Sequence, residues 1–167
     1  RRHMGSIWWL IAATAVAAEE TVADLIHEAK LLARRQDAQG ALELLERAQV
    51  LAPSATEPMT LKGNVFMYLL GDAASGESAY RQALAIDPTA WDASFFLAKS
   101  IASQGGGRAE EAAVAFDAAA ALQPSNLATR LEQGAAWLVA GSYPRASEAY
   151  LAAAAADPHS PQPLLAR

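Results

Sequence analysis

Four stretches of this chain end alike, on two residues and a proline: Leu51-Ala52-Pro53, Ile86-Asp87-Pro88, Leu122-Gln123-Pro124 and Ala156-Asp157-Pro158. The prolines stand 35, 36 and 34 residues apart. A period of about 34 residues is that of stacked helix-turn-helix units, in which no single hairpin buries its own apolar face and each neighbour must cover the last. Arrays of this kind usually hold other molecules rather than transform them, so the period alone argues against catalysis.

Counting back from each proline shows where the helices should touch. Five residues earlier stand Ala48, Ala83, Ala119 and Ala153. Eight earlier are the bulky Leu45, Tyr80, Phe116 and Tyr150, and twelve earlier the small Ala41, Gly76, Ala112 and Ala146. A further small residue falls in each first helix, at Ala29, Gly63, Ala98 and Gly134. Small side chains permit close approach, and the bulky one fills the remaining gap. About a quarter of the residues are alanine, the strongest helix former, and no alternating run of strand length appears. The chain should therefore be all-α. First helices are expected near 22–35, 56–70, 90–104 and 126–140, second helices near 38–51, 74–86, 109–122 and 143–156. Breaks fall at Asp37, Gly71-Asp72, Gly105-Gly106-Gly107 and Gly141-Ser142. Thr56, Thr89 and Asn126 suit N-caps, and Pro58 a first turn. Departures from a 34-residue unit place one extra residue between Asn64 and Gly71 and two in the glycine run.

From about Thr21 to Pro158 these positions resemble the tetratricopeptide repeat. The aromatic usual early in the first helix is replaced here by Leu25, Met59, Ser94 and Arg130. The resemblance implies a right-handed superhelical solenoid of four repeats whose first helices line a concave channel for a peptide or helix. Carrying that phase over points Ile26, Lys30, Leu61, Asn64, Met67, Tyr68, Phe95, Lys99, Leu131 and Leu138 toward the channel. This set is mostly apolar, which suits an apolar or amphipathic helical segment, or an extended one, of a protein partner. Members that grip a carboxylate-terminated chaperone tail use lysine, arginine and asparagine in the channel. Here Ile26, Leu61, Asp92 and Phe96 stand at those places and only Lys30 and Asn64 are comparably polar, so that partner class is set aside.

Charge and motifs narrow the function further. The net charge of −5 is spread along the chain with no basic stripe, which speaks against nucleic acid. Cysteine is absent, and His3, His27 and His159 lie far apart with no i, i+4 partner, so neither thiolate nor histidine metal sites are expected. Gly105-Gly106-Gly107 follows a helix and lacks the ending of a phosphate loop. Ser75, Ser94, Ser103 and Ser147 lack a nucleophile motif. The expectation is a non-enzymatic scaffold without cofactor, serving assembly of a protein complex in a bacterium.

The ends carry separate expectations. Residues 1–6 read as a cloning remnant. The uncharged Ile7–Ala18, within a segment 7–19, is too short to span a bilayer and reads as an extra apolar packing helix, a signal core or a truncated anchor. Trp8, Trp9, Leu10 and Ile11 in it would serve self-association or a membrane surface. Residues 21–160 form the four-repeat domain, and 161–167 begin a truncated capping helix, so the open end could also join copies of the chain. Two alternatives follow. One is a self-assembling repeat module. The other is a membrane-anchored periplasmic factor, because Ser103–Ala112 resembles the third-repeat insertion of cytochrome c maturation subunits. The compartment is accordingly cytoplasmic, or periplasmic and membrane-associated.

Overall fold

The computed structural model describes residues 21–105 and 107–156. The segments 1–6, 7–19 and 161–167, with Trp8, Trp9, Leu10 and Ile11, lie outside the described residues.

Eight α-helices occupy the described chain: α1 Val22–Arg34, α2 Ala38–Leu51, α3 Glu57–Asn64, α4 Ala73–Ile86, α5 Trp91–Gln104, α6 Ala109–Leu122, α7 Leu127–Val139 and α8 Tyr143–Ala156. Each packs chiefly against its neighbours in sequence, giving four hairpins stacked into a right-handed solenoid. The helix starts have local causes. Thr21 and Asp24 form a reciprocal capping box at α1. Asp37, Asp72 and Asn126 accept from Gly40, Ser75 and Thr129 backbone amides. Pro58 enters the first turn of α3, where a missing amide hydrogen costs nothing. The expected cap Thr89 stands one residue too early. Ala90 is the cap, and Thr89 donates to Asp87 instead. Thr56 occupies the cap of α3 without a side-chain bond.

The extra residue between Asn64 and Gly71 is taken up inside the helix. Residues Val65–Leu69 form a π-helical turn continuing α3, with the Leu70 amide bonded to the Val65 carbonyl. A π turn absorbs one inserted residue without ending the helix, and such turns are frequent at functional sites.

A second regularity lies seventeen residues before each proline. Gln36, Gly71, Gly107 and Gly141 have φ of 65°, 69°, 83° and 78°. Every turn from first to second helix thus needs a left-handed residue, and three of four repeats supply glycine.

The core follows the small-and-bulky code. Leu45, Tyr80 and Phe116 are buried, and each lies against the small residue of its own first helix. The pairs differ in one respect. Tyr80 and Tyr150 face Gly63 and Gly134, where an added Cβ would fall 2.7 Å from the Tyr80 Cδ1 and from the Tyr150 Cζ. Leu45 and Phe116 face Ala29 and Ala98. A tyrosine here requires a bare Cα; leucine and phenylalanine tolerate a methyl.

Candidate partner-binding groove

In a solenoid of this kind the inner face belongs to the first helices, here α1, α3, α5 and α7. Two hollows lie between repeats, each lined by residues of two first helices and of the second helix between them. One, of about 120 Å³, is lined by Ala29, Lys30 and Ala33 of α1, Leu45 of α2, and Leu61, Asn64, Val65, Tyr68 and Leu69 of α3 and its π turn. The other, about 470 Å³, is lined by Ala102, Gly105 and Gly107, by Ala109, Ala112 and Phe116 of α6, and by Glu132, Ala135, Ala136 and Val139 of α7. They are the same place in the repeat. Leu45, Leu61, Asn64, Val65 and Tyr68 correspond to Phe116, Glu132, Ala135, Ala136 and Val139 by the offset from Pro53 to Pro124.

The equivalent place between repeats two and three is filled. Tyr80 stands where Leu45 stands, and Phe96 where Leu61 stands. Their rings stack with centroids 5.9 Å apart, and Tyr68 meets Phe96 edge-on at 6.2 Å. The Tyr80 hydroxyl donates to Asn64 Oδ1 at 2.8 Å, and burial pushes its pKa up, so it remains a donor.

Ion pairs join first helices across the first and third seams. Lys30 bonds Glu57 at 2.8 Å, and Lys99 approaches Glu132 at 3.3 Å while lying over the Phe95 ring. The outer side of the middle seam carries a denser cluster. Arg108 grips the buried Glu77 through two bonds of 2.8 and 2.9 Å and also binds Glu111 and Gln104. Arg81 and the Gln104 amide also contact Glu77. The Arg108 bonds, ahead of the others, hold the Glu77 carboxyl at about 2, well below the usual range. Between α6, α7 and α8 lies a polar hollow of about 340 Å³, where Asp117 accepts from Gln133 and Trp137 and Arg145 covers the Trp137 ring.

The ten residues expected in the channel divide. Lys30, Leu61, Asn64 and Tyr68 line the first hollow, with Tyr68 52% exposed. Lys99 lines neither hollow but pairs with Glu132, which lines the second. Ile26 and Phe95 are only 8% and 9% exposed, sealed in the seams between repeats. Leu131 occupies their phase in the last repeat and is exposed. Met67 lies beside Tyr80, within reach of its hydroxyl, and Leu138 packs on the core of the last two repeats. Neither lines either of these two hollows. The reason is phase: Ile26 and Phe95 stand one residue before the positions, His27 and Phe96, that turn inward, and one residue rotates a helix by about 100°. Glu132, Ala135 and Val139 were missed; the offset between prolines would have located them from Leu61, Asn64 and Tyr68.

Among the described residues no group of three or more histidines, cysteines or carboxylates is arranged to hold a metal, and no helix is long and apolar enough to cross a membrane.

No family model matches the chain, and neither does any curated protein. Solved structures do. A crystal structure of MamA superposes with a TM-score of 0.73 at 18% identity, covering 88% of this chain and 84% of that one. A second MamA structure gives 0.72 at 19%, covering 90% and 81%. A thermophilic TPR protein of Thermus thermophilus gives 0.66 at 18%, covering 83% and 75%. At such identities the likeness is one of fold, and the fold is the tetratricopeptide-repeat solenoid.

Proposed function

We propose that this four-repeat tetratricopeptide solenoid is a non-enzymatic scaffold that holds a segment of a partner protein along its concave face. The observation carrying this reading is the recurrence of one open, mostly apolar hollow at equivalent places two repeats apart. A lone apolar dent is ordinary on a protein surface, but two in register on one face offer a ligand paired anchor points. Mostly apolar lining with few polar groups fits peptide side chains.

The test uses the whole chain panned against a displayed random peptide library. Bound peptides should lose affinity at least about tenfold when a charge is buried in either hollow by Leu61→Glu or Ala135→Glu. Val114→Glu, on an exposed position of α6 outside both hollows, should leave binding unchanged. A library yielding no binder, or binders sensitive to Val114→Glu alone, would reject the groove as the site.

A second reading has its own observation. Leu131, Tyr143 and Leu151 are exposed together on the last hairpin, and a self-assembling module would bury them against another copy. Sedimentation velocity would then show concentration-dependent association abolished by Leu151→Glu. The cytochrome c maturation reading rests on residues 103–112 alone, and predicts that an apocytochrome terminal helix competes with the selected peptides.

A further inference from the structure

We propose that the groove reads its ligand in one direction: an extended segment whose acidic end lies over α1, with a smaller apolar side chain in the first hollow and an aromatic one in the second. This rests on the concave face being the partner-binding site and adds the ligand's chemistry, polarity and spacing.

Charge sets the polarity. At the inward positions, α1 presents His27, Lys30 and Arg34, whereas α7 presents Glu132, Ala135 and Val139. Most cations on this face are already held: Lys30 by Glu57 and Lys99 by Glu132. Arg34 is exposed and has no carboxylate partner among the described residues. The cation free to meet an incoming carboxylate therefore sits at the repeat-one end. The far end is apolar apart from Glu132, which is taken up by Lys99 and leaves no free cation there for an acidic ligand. A segment with carboxylates at one end and apolar residues beyond them fits only one way round.

Size sets the order of the anchors. A dry cavity of about 150 Å³ lined by aliphatic side chains accommodates benzene. The first hollow, at about 120 Å³, is slightly smaller and suits an aliphatic side chain. The second, at about 470 Å³, has room for an aromatic ring system.

The spacing follows from helix packing. Neighbouring helices lie about 8–10 Å apart, so equivalent points two repeats away are separated by roughly 16–20 Å along the inner face. An extended chain advances about 3.3 Å per residue and sends every second side chain to the same face, so the anchors should stand about six residues apart. A helix would span that distance in about twelve residues, but its cylinder, about 10 Å wide, would ride on the Tyr68–Phe96 ridge between the hollows. An extended strand can step across that ridge and still seat both anchors.

The experiment takes the peptides selected on the full chain and titrates them, fluorescein-labelled, by anisotropy against wild type, Arg34→Glu, Leu61→Glu and Ala135→Glu, with circular dichroism confirming each fold. The expected binders carry aspartate or glutamate just before a Leu, Ile, Val or Met, and a Trp, Phe or Tyr about six residues further on, in either chain direction. Arg34→Glu should weaken them about tenfold, and changing the peptide's acids to lysine should restore binding to that variant. Binders that respond to Ala135→Glu but lack the acidic end, or ignore Arg34→Glu, would overturn this inference while leaving the groove reading intact. No peptide responding to Ala135→Glu or Leu61→Glu would remove both. A synthetic peptide of residues 7–20 is titrated alongside. If it binds tighter than every selected sequence, the occupant is a second copy of this chain, and the external ligand proposed here is wrong.

Discussion

The seam between repeats two and three is closed on both sides, while the seams flanking it are open toward the concave face. All three are built from the same repeat, so the difference isolates what opens or fills a hollow. Two positions decide it: the bulky residue eight before a proline and the residue eight after it. In the middle seam these are Tyr80 and Phe96, whose rings stack. In the outer seams they are Leu45 with Leu61 and Phe116 with Glu132, and neither pair fills the space. Tyrosine reaches its place because Gly63 has no side chain, and its hydroxyl is then anchored on Asn64. A methyl group removed from one helix thus makes room for a ring that closes the neighbouring seam. The middle seam gains a further lock on its outer side from Arg108 and Glu77.

The strongest way to break this contrast is Gly63→Ala. The new methyl would sit inside the Tyr80 ring's contact distance, and the ring is packed on its other side by Phe96. Overpacking at a fixed site should cost about 3 kcal/mol, measured by urea unfolding. Adding Tyr80→Leu recreates the Ala29–Leu45 pair of the first repeat, so the double variant should recover to within about 1 kcal/mol of wild type, despite the lost hydroxyl bond and stacking. It should also open a third hollow. A cost below about 1 kcal/mol for Gly63→Ala alone would mean that the ring yields freely, and the fit between Gly63 and Tyr80 would not explain the closed seam.

Glu77 tests the outer lock. Its carboxyl is held at about 2, so the stability it contributes is fully present above the ordinary carboxylate range and is lost as pH falls from there toward 2. The shift corresponds to at most about 3 kcal/mol, and nearer 2 once solvent screening of the partly exposed guanidinium groups is counted. Glu77→Gln should lose about 2 kcal/mol at neutral pH, and its difference from wild type should shrink steadily between about pH 5 and pH 2. Lys30 and Glu57 in the first seam are both exposed, and removing that pair should be nearly silent by comparison. A constant difference across the acid range would show that Glu77 is not the titrating group.

Helix order and bounds were legible because prolines and breakers punctuate every repeat, and the helices fall within one or two residues of the expected ranges. The extra residue between Asn64 and Gly71 could be counted, yet its π-helical form could not. A loop extension would satisfy the same count, and only packing of α3 between its neighbours decides against it. The lining of the hollows was legible in part. Lys30, Leu61, Asn64 and Tyr68 share one inward phase, whereas Ile26 and Phe95 share the neighbouring one. Apolar character cannot distinguish those phases, because both the seam and the hollow favour large hydrophobic residues. The pairing of tyrosine with glycine was visible as two separate columns of residues. Their mutual dependence appears only when Cβ positions are set against ring atoms.

A smaller effect probes the seam between repeats three and four. The Trp137 indole donates to Asp117 Oδ1 at 2.9 Å, and Gln133 supplies a second bond to the same oxygen. Trp137→Phe keeps most of the ring packing and removes one donor, so about 1 kcal/mol should be lost by thermal unfolding. The second hollow lies on the other side of α7 and should keep its affinity for selected peptides. A loss of binding as large as that of Ala135→Glu would show that this open seam is held by polar bonds on its outer side.

The smallest expected effect concerns the turn of the first repeat. Gln36 has the same left-handed conformation as Gly71, Gly107 and Gly141, but it carries a side chain. For an L-residue that region costs about 1–2 kcal/mol, whereas glycine enters it freely. Glycine also loses more backbone entropy on folding, by about 0.5–1 kcal/mol, and that offsets part of the gain. Gln36→Gly should therefore stabilise the chain by about 0.5–1 kcal/mol, read as a rise in urea midpoint without a change in slope. The reverse exchange, Gly141→Gln, should destabilise by a similar amount. Residue 36 lies beyond the hollow-lining residues of α1, so a stiffer first hairpin should leave the first hollow's size unchanged. If Gln36→Gly alters peptide affinity as well as stability, the openness of that seam depends on how loosely its hairpin turns, and not only on Leu45 and Leu61.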